Sequence, residues 1–221
     1  GGDNSALNYS GDIHDQYHDQ FSQELQLVGT SGALEWVGGL YYFTEDTRDF
    51  TDLIIIQGLG TSVSFDNRQE TSSYAAYAQV SYAVSEQLDV FAGIRYTEEE
   101  KDFTQQISNY DFGVPHVFAI PGVPVSSCAF DEPTAYFDCS QDWSNTSPKI
   151  GASCQLNDDV MAYAPVSRGF RSGGYNGRAF GSAADLEEYE PEILTGYEAG
   201  IKADLLGRSL RVNGAVFYNE Y

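Results

Sequence analysis

Polar and apolar positions alternate most regularly between Tyr74 and Tyr96, and a polar turn divides this stretch into two halves. Successive side chains of a strand point to opposite sides, so each half has one apolar face and one mixed face. The apolar face carries Tyr74, Ala76, Ala78, Val80 and Tyr82 before the turn, and Leu88, Val90, Ala92, Ile94 and Tyr96 after it. Each half is close to the roughly 9–11 residues with which a tilted strand crosses a bilayer. The pattern predicts a hairpin in the wall of a transmembrane barrel, with hydrocarbon on one side and water on the other.

The same alternation recurs along the chain and predicts an all-β, antiparallel fold of about eight strands. Besides the two halves just described, the predicted strands are residues 21–28, 33–43, 147–156, 160–170, 193–204 and 209–221. Short turns and long loops alternate between them. Transmembrane barrels place short turns on the periplasmic side and long loops outside the cell, so we predict a meander in that orientation.

This order of turns and loops sends the first predicted strand towards the periplasm and brings the last one back out. Both ends of residues 1–221 are then expected on the extracellular side, whereas a complete single-chain barrel keeps its termini in the periplasm. We therefore expect this stretch to be one part of a larger barrel. Its two open edges would need further strands as pairing partners.

The connections on the extracellular side are predicted to be long and polar. They are residues 1–20, 44–71, 102–145 and 171–189. An apolar run at Leu53–Ile56 indicates strand extensions above the membrane or a small hairpin within the second connection, and less strongly a ligand-facing patch. Four prolines, at positions 115, 121, 124 and 133, favour irregular structure in the third.

The net charge restricts the classes of partner. The chain carries 33 Asp and Glu against 11 Lys and Arg, a net charge of −22. Nucleic acid is not an expected partner, because phosphate contacts need basic side chains. We interpret the acidity as solvated loops, with attraction of cations or cationic ligands as the alternative. No stretch approaches the roughly 18 apolar residues of a membrane helix.

Cysteine and histidine usage argues against a metal site. Cys128 and Cys139 lie in one polar loop, which predicts a loop disulfide in an oxidising compartment, while Cys154 lies in a strand. The cysteines lack the accompanying histidines of a zinc site. His14 and His18 alternate with Asp12, Asp15 and Asp19, and we interpret this segment as a solvated loop rather than a metal pair. No secretion signal is visible at the start, so we expect that it was removed or that the chain is a fragment.

The candidate ligand-binding residues are Arg168, Arg171 and Tyr175, at the upper end of a predicted strand. A guanidinium matches the carboxylates of an anionic ligand such as a ferric chelate, but a rim charge paired with a neighbouring acid is the favoured interpretation. The candidate lumen-facing residues form a structural ladder of charge: Asp89, Arg95, Glu198, Lys202 and Arg211. The tryptophans at positions 36 and 143 are expected in aromatic girdles or strand cores. No catalytic arrangement has a defined spacing, so we expect neither an enzyme nor a cofactor.

Several segments together resemble the barrel of TonB-dependent outer-membrane receptors. They include LEWVGGLYYF (34–43), YAPVSRGFRSGGYNG (163–177) and a PE-x-x-x-x-YE-x-G-x-K arrangement from Pro191 to Lys202. The resemblance covers nearly the whole chain outside the loops. It implies that residues 1–221 are part of a barrel of about 22 strands that encloses a plug. No counterpart of the plug domain is recognised within the 221 residues, and Pro165 departs from a regular strand, indicating a bulge or local break.

The resemblance implies uptake of a scarce solute (a ferric siderophore, cobalamin or a sugar) through the outer membrane of a Gram-negative bacterium, driven by the TonB–ExbB–ExbD system. Outer-membrane lipid would surround the barrel. A passive porin or a small closed barrel is the first alternative. The second is a soluble β-rich binding module, in which Val80, Val90, Ile94 and Val212 would be buried together.

Overall fold

The computed structural model describes residues 10–55, 61–111, 114–116, 128–131, 136–177 and 188–221. Within them the chain is all β and antiparallel, as predicted. In chain order the strands are β1 (Ser10–Ser31), β2 (Leu34–Ile55), β3 (Thr61–Ala83), β4 (Leu88–Asp111), β5 (Val114–His116), β6 (Cys128–Asp131), β7 (Tyr136–Asn157), β8 (Val160–Arg171), β9 (Gly174–Tyr175), β10 (Glu188–Tyr189), β11 (Glu192–Leu205) and β12 (Leu210–Glu220). Over these ranges, no helix has the length and apolarity needed to cross a membrane.

Eight of these strands form one meander, in the order β1-β2-β3-β4-β7-β8-β11-β12. This confirms the predicted number and order of the main strands. The short strands β5 and β6 add to β4 and β7 respectively, and β9 pairs with β10 in a separate small sheet. In the described part of the chain β1 and β12 lie at opposite edges of the sheet, so these strands do not close on themselves into a small barrel.

The first five long strands contain 22–24 residues each, about twice the predicted length. The prediction of loops at residues 10–20, 102–111 and 136–145 was therefore wrong. The extension of β2 and β3 through much of residues 44–71 confirms the strand-extension hypothesis, and the tip, with Ile56, lies outside the described residues. Backbone hydrogen bonding explains the difference, because a ladder with strands on both sides continues whether its side chains are polar or apolar.

The cross-strand register keeps the two faces of the sheet distinct. Val80 lies opposite Ala92, and Ala78 lies opposite Ile94, on what we call the apolar face. Tyr77 lies opposite Arg95 on the other side, which we call the mixed face. The apolar side chains are exposed rather than packed under a second layer: Val80 is 43% exposed, Val90 38%, Ile94 54% and Val212 43%. The arrangement expected of a soluble sandwich is absent from the described sheet.

Aromatic residues form a row across the apolar face. Tyr42 and Tyr74 have ring centroids 5.0 Å apart, and Phe21 lies 6.3 Å from Tyr42. We call the side of the sheet beyond this row, where the long connections lie, the loop end, and the opposite side the turn end. Trp36 is exposed on the apolar face, whereas Trp143 is buried on the mixed face. The two tryptophans thus realise the two predicted alternatives, a girdle position and a core position.

At the turn end, backbone geometry explains the sharp connections. Gly32, in the two-residue turn between β1 and β2, has a φ of 61°, which a glycine adopts without steric cost. Between β11 and β12, Leu206, Gly207 and Arg208 all have positive φ. Turns of this left-handed kind match the twist of the strands that they join.

Pro165 interrupts one ladder without shifting the register. It pairs with Gly151 on β7. On the β11 side the ladder has a gap between the pairs Val166–Tyr197 and Tyr163–Gly200, and the register is the same on both sides of the gap. Proline lacks the N–H that a ladder hydrogen bond needs. The predicted local break therefore occurs on the β11 side, and the register shift between β7 and β8 occurs elsewhere, at Gln155 and Asn157.

The hydrophobic core lies on the mixed face at the loop end. Its members are Val63, Phe65, Phe103, Ile107, Phe137, Cys139 and Tyr175. Most come from the long extensions of β3, β4 and β7 beyond the aromatic row. Cys128 of β6, the strand beside β7, packs against this core, and Tyr175 from the residues that follow β8 covers it on the mixed face.

Candidate ligand site on the mixed face

The segment from Ser172 to Gly177, which we call the 172–177 segment, folds back over the mixed face after β8. Lys101 Nζ donates a 2.8 Å hydrogen bond to the carbonyl oxygen of Gly173. At the other end of the segment, Asn67 Nδ2 and Gln105 Nε2 each donate a 2.7 Å bond to the carbonyl oxygen of Gly177. Side chains of β3 and β4 thus hold the main chain of this segment at both ends.

Aromatic packing fixes the middle of the 172–177 segment. The Tyr175 ring stacks on Phe103 with centroids 5.5 Å apart and an interplanar angle of 21°. A Cβ added to Gly173 would lie 2.4 Å from the carbonyl oxygen of Tyr189 and 2.9 Å from the Trp143 ring. Only a glycine lets the backbone approach this closely. The 172–177 part of the predicted 171–189 connection is therefore packed against the mixed face.

A pocket of about 400 Å³ opens beside this segment. Five uncharged polar residues and two aromatic residues line it: Gln16, Thr47, Asn67, Gln69, Asn176, Phe103 and Tyr175. We call it the amide pocket. Asp49 supplies a carboxylate to the lining, and the Nε2 of His14 lies 3.4 Å from that carboxylate. The pocket lies in the volume range of small-molecule sites and combines rings with a few polar groups, as such sites do.

A second, wider groove of about 630 Å³ lies nearer the aromatic row on the same face. The Arg95 guanidinium lies over the rings of Tyr41 and Tyr77, 5.2 and 5.9 Å from their centroids. Tyr77 in turn donates a 2.6 Å hydrogen bond to Glu24. The guanidinium is held by these two rings, and it faces the groove beside Thr97.

The register places the five predicted lumen-facing residues, Asp89, Arg95, Glu198, Lys202 and Arg211, on the mixed face. On this face they make separate contacts. Glu198 accepts a 2.6 Å hydrogen bond from Tyr163, and Lys202 Nζ lies 5.5 Å from the centroid of the same ring. Arg211 instead donates to Asp204 at 2.6 and 2.9 Å.

Two of the three predicted ligand-binding residues, Arg168 and Arg171, line the wide groove beside Arg95, whereas Tyr175 lines the amide pocket. By strand alternation the Arg168 side chain starts on the side of the sheet that carries Val166, two residues earlier in β8. Arg171 is on the mixed face, where its Nη1 lies 3.8 Å from Glu192 Oε2. This is the rim ion pair that the sequence favoured. Tyr175 is 7% exposed and is part of the lining of the amide pocket.

The histidines predicted to lie in a solvated loop belong to β1. His14 and His18 are on the mixed face, and each meets a different carboxylate of β2, Asp49 at 3.4 Å and Glu45 at 2.5 Å. Asp15 and Asp19 point to the opposite face, because they occupy alternate positions of the strand. No group of three or more metal-ligating side chains is found among the residues that the structure describes.

Cys128 and Cys139 are joined by a disulfide and lie directly opposite each other in the β6–β7 ladder. Cys139 is fully buried in the core cluster, between the extensions of β4 and β6. The disulfide therefore fastens β6 to the edge of β7, beside the core. Cys154 carries a free thiol.

Ion pairs cross the apolar face beyond the aromatic row, where β2 and β3 continue towards the loop end. Arg48 pairs with Asp66 at 2.6 Å, and Arg68 pairs with Asp46 at 2.8 Å. The hydrogen bonds to these carboxylates raise the pKa of each guanidinium above its ordinary value, so both stay charged. Charged pairs on this face mark the level at which the strands have left any hydrocarbon.

The residues that hold the site together were not recognised from the sequence. Asn67, Lys101 and Gln105 contact the 172–177 segment across 72 to 110 positions of the chain. Isolated polar residues of polar strands give no periodic signal. Once the structure showed that β3 and β4 continue through these positions, the alternation of side chains along a strand placed all three residues on the mixed face.

An antiparallel meander with one exposed apolar face, an aromatic row and a polar opposite face defines the wall of a transmembrane β-barrel. The chain belongs to the family of TonB-dependent receptor-like β-barrels, and the model of this family matches residues 1–221.

Solved structures agree with this fold. The chain matches the ferric yersiniabactin uptake receptor FyuA of Yersinia pestis with a TM-score of 0.73 and 18% identity, covering 96% of this chain. The alcaligin outer membrane receptor FauA of Bordetella pertussis matches with a TM-score of 0.54 and 16% identity over 96%. The ferric-catecholate import receptor Fiu of E. coli K12 matches with 0.51 and 10% over 97%. The chain spans 30% of FyuA, 30% of FauA and 38% of Fiu.

Proposed function

We propose that this chain forms part of the wall of an outer-membrane receptor that imports a scarce solute into a Gram-negative cell. The observation that carries the proposal is the covering of the mixed face at the loop end by the 172–177 segment, beside a pocket of small-molecule size. With short turns in the periplasm, this pocket faces the outside of the cell. A solute arriving from the medium meets it first.

The energy source that we propose is the TonB–ExbB–ExbD system, acting on the whole receptor. Family membership supports this. A ferric siderophore is the solute class suggested by the structural neighbours, which are named for ferric yersiniabactin, alcaligin and ferric catecholate. The passive porin is the competing function, since it too needs an apolar face towards lipid and a polar face towards water.

Uptake by the whole receptor separates these two functions. The receptor is expressed in matched strains with and without functional TonB, and entry of labelled ferric chelates, cobalamin and neutral oligosaccharides is measured. Energised import of at least one probe, lost without TonB or after a protonophore, supports the proposal. Entry of all small probes at equal rates in both strains, with swelling of liposomes that contain the purified receptor, contradicts it in favour of a porin.

A further inference from the structure

We propose that the amide pocket takes an uncharged polyhydroxylated ligand, of the saccharide class, rather than an anionic ferric chelate. This inference rests on the proposed function, because it takes the loop end of the mixed face as the side that meets the solute. It names the chemistry of that solute from the lining of the pocket.

The polar lining matches hydroxyl groups. Gln16, Asn67 and Gln69 each present a carboxamide, which both donates and accepts hydrogen bonds, and Thr47 adds a hydroxyl with the same dual capacity. A sugar hydroxyl also donates and accepts. Each hydroxyl can therefore be satisfied by a neighbouring pair of such side chains, whereas a deprotonated oxygen only accepts.

Asn67 is oriented before any ligand arrives. Its Oδ1 accepts a 2.9 Å hydrogen bond from Gln105, and its Nδ2 donates a 2.7 Å bond to the carbonyl oxygen of Gly177. Gln105 is fully buried, so this contact is fixed by the core. One N–H and one lone pair of the Asn67 amide stay available for a ligand. Groups held in this way lose little conformational freedom on binding.

The aromatic pair supplies an apolar surface at the same pocket. Phe103 and Tyr175 stack on each other and both contribute to the lining. The edge and face of an aromatic ring carry opposite partial charges. Phe103 is 4% and Tyr175 7% exposed, so the stacked pair offers the C–H groups of a sugar a small apolar contact beside the amides.

The charge of the lining disfavours an anion. Among the described residues that line the pocket, none is Lys or Arg, and Asp49 contributes a negative charge. Lys101, on the same face of β4, already binds the carbonyl oxygen of Gly173 at 2.8 Å and lies 3.5 Å from Glu99. An anionic chelate in the pocket would meet the Asp49 carboxylate with no Lys or Arg of the described lining to offset the repulsion, and like charges repel strongly at short range.

The test uses the full receptor in detergent, probed with an array of neutral mono- and oligosaccharides and with ferric citrate and ferric catecholate. We expect at least one saccharide to bind. Asn67→Ala and Gln69→Ala should each weaken it about 2- to 10-fold, the effect of losing one hydrogen bond. Gln106→Ala is the matched control, since Gln106 is exposed on the apolar face next to Gln105. It should bind as the parent does.

The outcomes separate this inference from the proposed function. The inference is overturned if no saccharide binds to a receptor whose cooperative thermal unfolding shows that it is folded. It is also overturned if the Asn67 and Gln69 substitutions leave the saccharide affinity unchanged. Energised uptake of a ferric chelate in that case leaves the receptor function intact. Saccharide binding that depends on Asn67, without energised uptake, supports the pocket assignment and overturns the transport function instead.

Discussion

The ammonium group of Lys101 on β4 donates a 2.8 Å hydrogen bond to the carbonyl oxygen of Gly173, 72 positions later in the chain. Its Nζ also lies 5.6 Å from the centroid of the Trp143 ring, and its side chain is 13% exposed. This contact holds the 172–177 segment on the mixed face and so shapes one side of the amide pocket. It is the first target for substitution.

Lys101→Met keeps the packing on Trp143 but removes the charged donor. Hydrogen bonds that involve a charged group contribute about 1.5–3 kcal/mol. We expect the segment to open more readily, so the amides of residues 172–177 should exchange with deuterium faster, by about one to two orders of magnitude. Lys149→Met is the control, since Lys149 is exposed and lies over Phe91 away from the segment. Unchanged protection in the Lys101 variant would show that the contact does not hold the segment.

Gly173→Ala tests the close approach of the segment to the sheet. The new methyl group would lie 2.4 Å from the carbonyl oxygen of Tyr189, so the backbone must move. Overpacking of this kind costs about 1–3 kcal/mol. Gly169→Ala, four residues earlier, is the matched control, because its Cβ would meet nothing nearer than 3.9 Å. Protease sensitivity of the segment should rise only in the first variant, and an equal response in both would refute the packing argument.

Ile94→Arg tests which face of the sheet meets hydrocarbon. Ile94 lies opposite Ala78, midway between Tyr74 and Tyr82, and is 54% exposed on the apolar face. An arginine at the midplane of a bilayer costs about 2–4 kcal/mol in a barrel wall. The fraction of full-length receptor that inserts into lipid vesicles should fall accordingly. Gln79→Arg, on the mixed face of the neighbouring strand, should insert normally. If Gln79→Arg inserts poorly and Ile94→Arg inserts normally, the assignment of the two faces is wrong.

Replacing both Cys128 and Cys139 by serine tests the role of the disulfide. The bridge spans 11 residues, and closing a loop of this size contributes about 2–4 kcal/mol. We expect β6 to lose amide protection while the eight-stranded sheet keeps it, since among the described strands β6 pairs with β7 alone. Cys154→Ser is the control with the free thiol. Loss of protection throughout the sheet would mean that the bridge supports the whole fold.

Alternation alone predicted the central hairpin and the faces of its side chains, because the two-residue period of a strand is a property of the backbone. The order of the eight main strands followed from the same pattern with short turns between them. The lengths of the strands could not be predicted from this alternation. Residues such as Arg48 and Asp66 are polar on a face that carries Tyr42 and Tyr74 nearer the turn end, so the hydrophobic signal stops where the strand does not. The ladder continues because neighbouring strands satisfy the backbone.

The candidate site, too, was predicted only in part from the sequence. Sequence alone marked Arg168, Arg171 and Tyr175 as candidates, at the upper end of a predicted strand. The structure places Tyr175 in the amide pocket, whereas both arginines line the wide groove beside Arg95. Only the tertiary structure brought Asn67, Lys101 and Gln105 to the 172–177 segment. Those contacts depend on the folded distance between residues far apart in the chain, and no local period in the sequence encodes that distance.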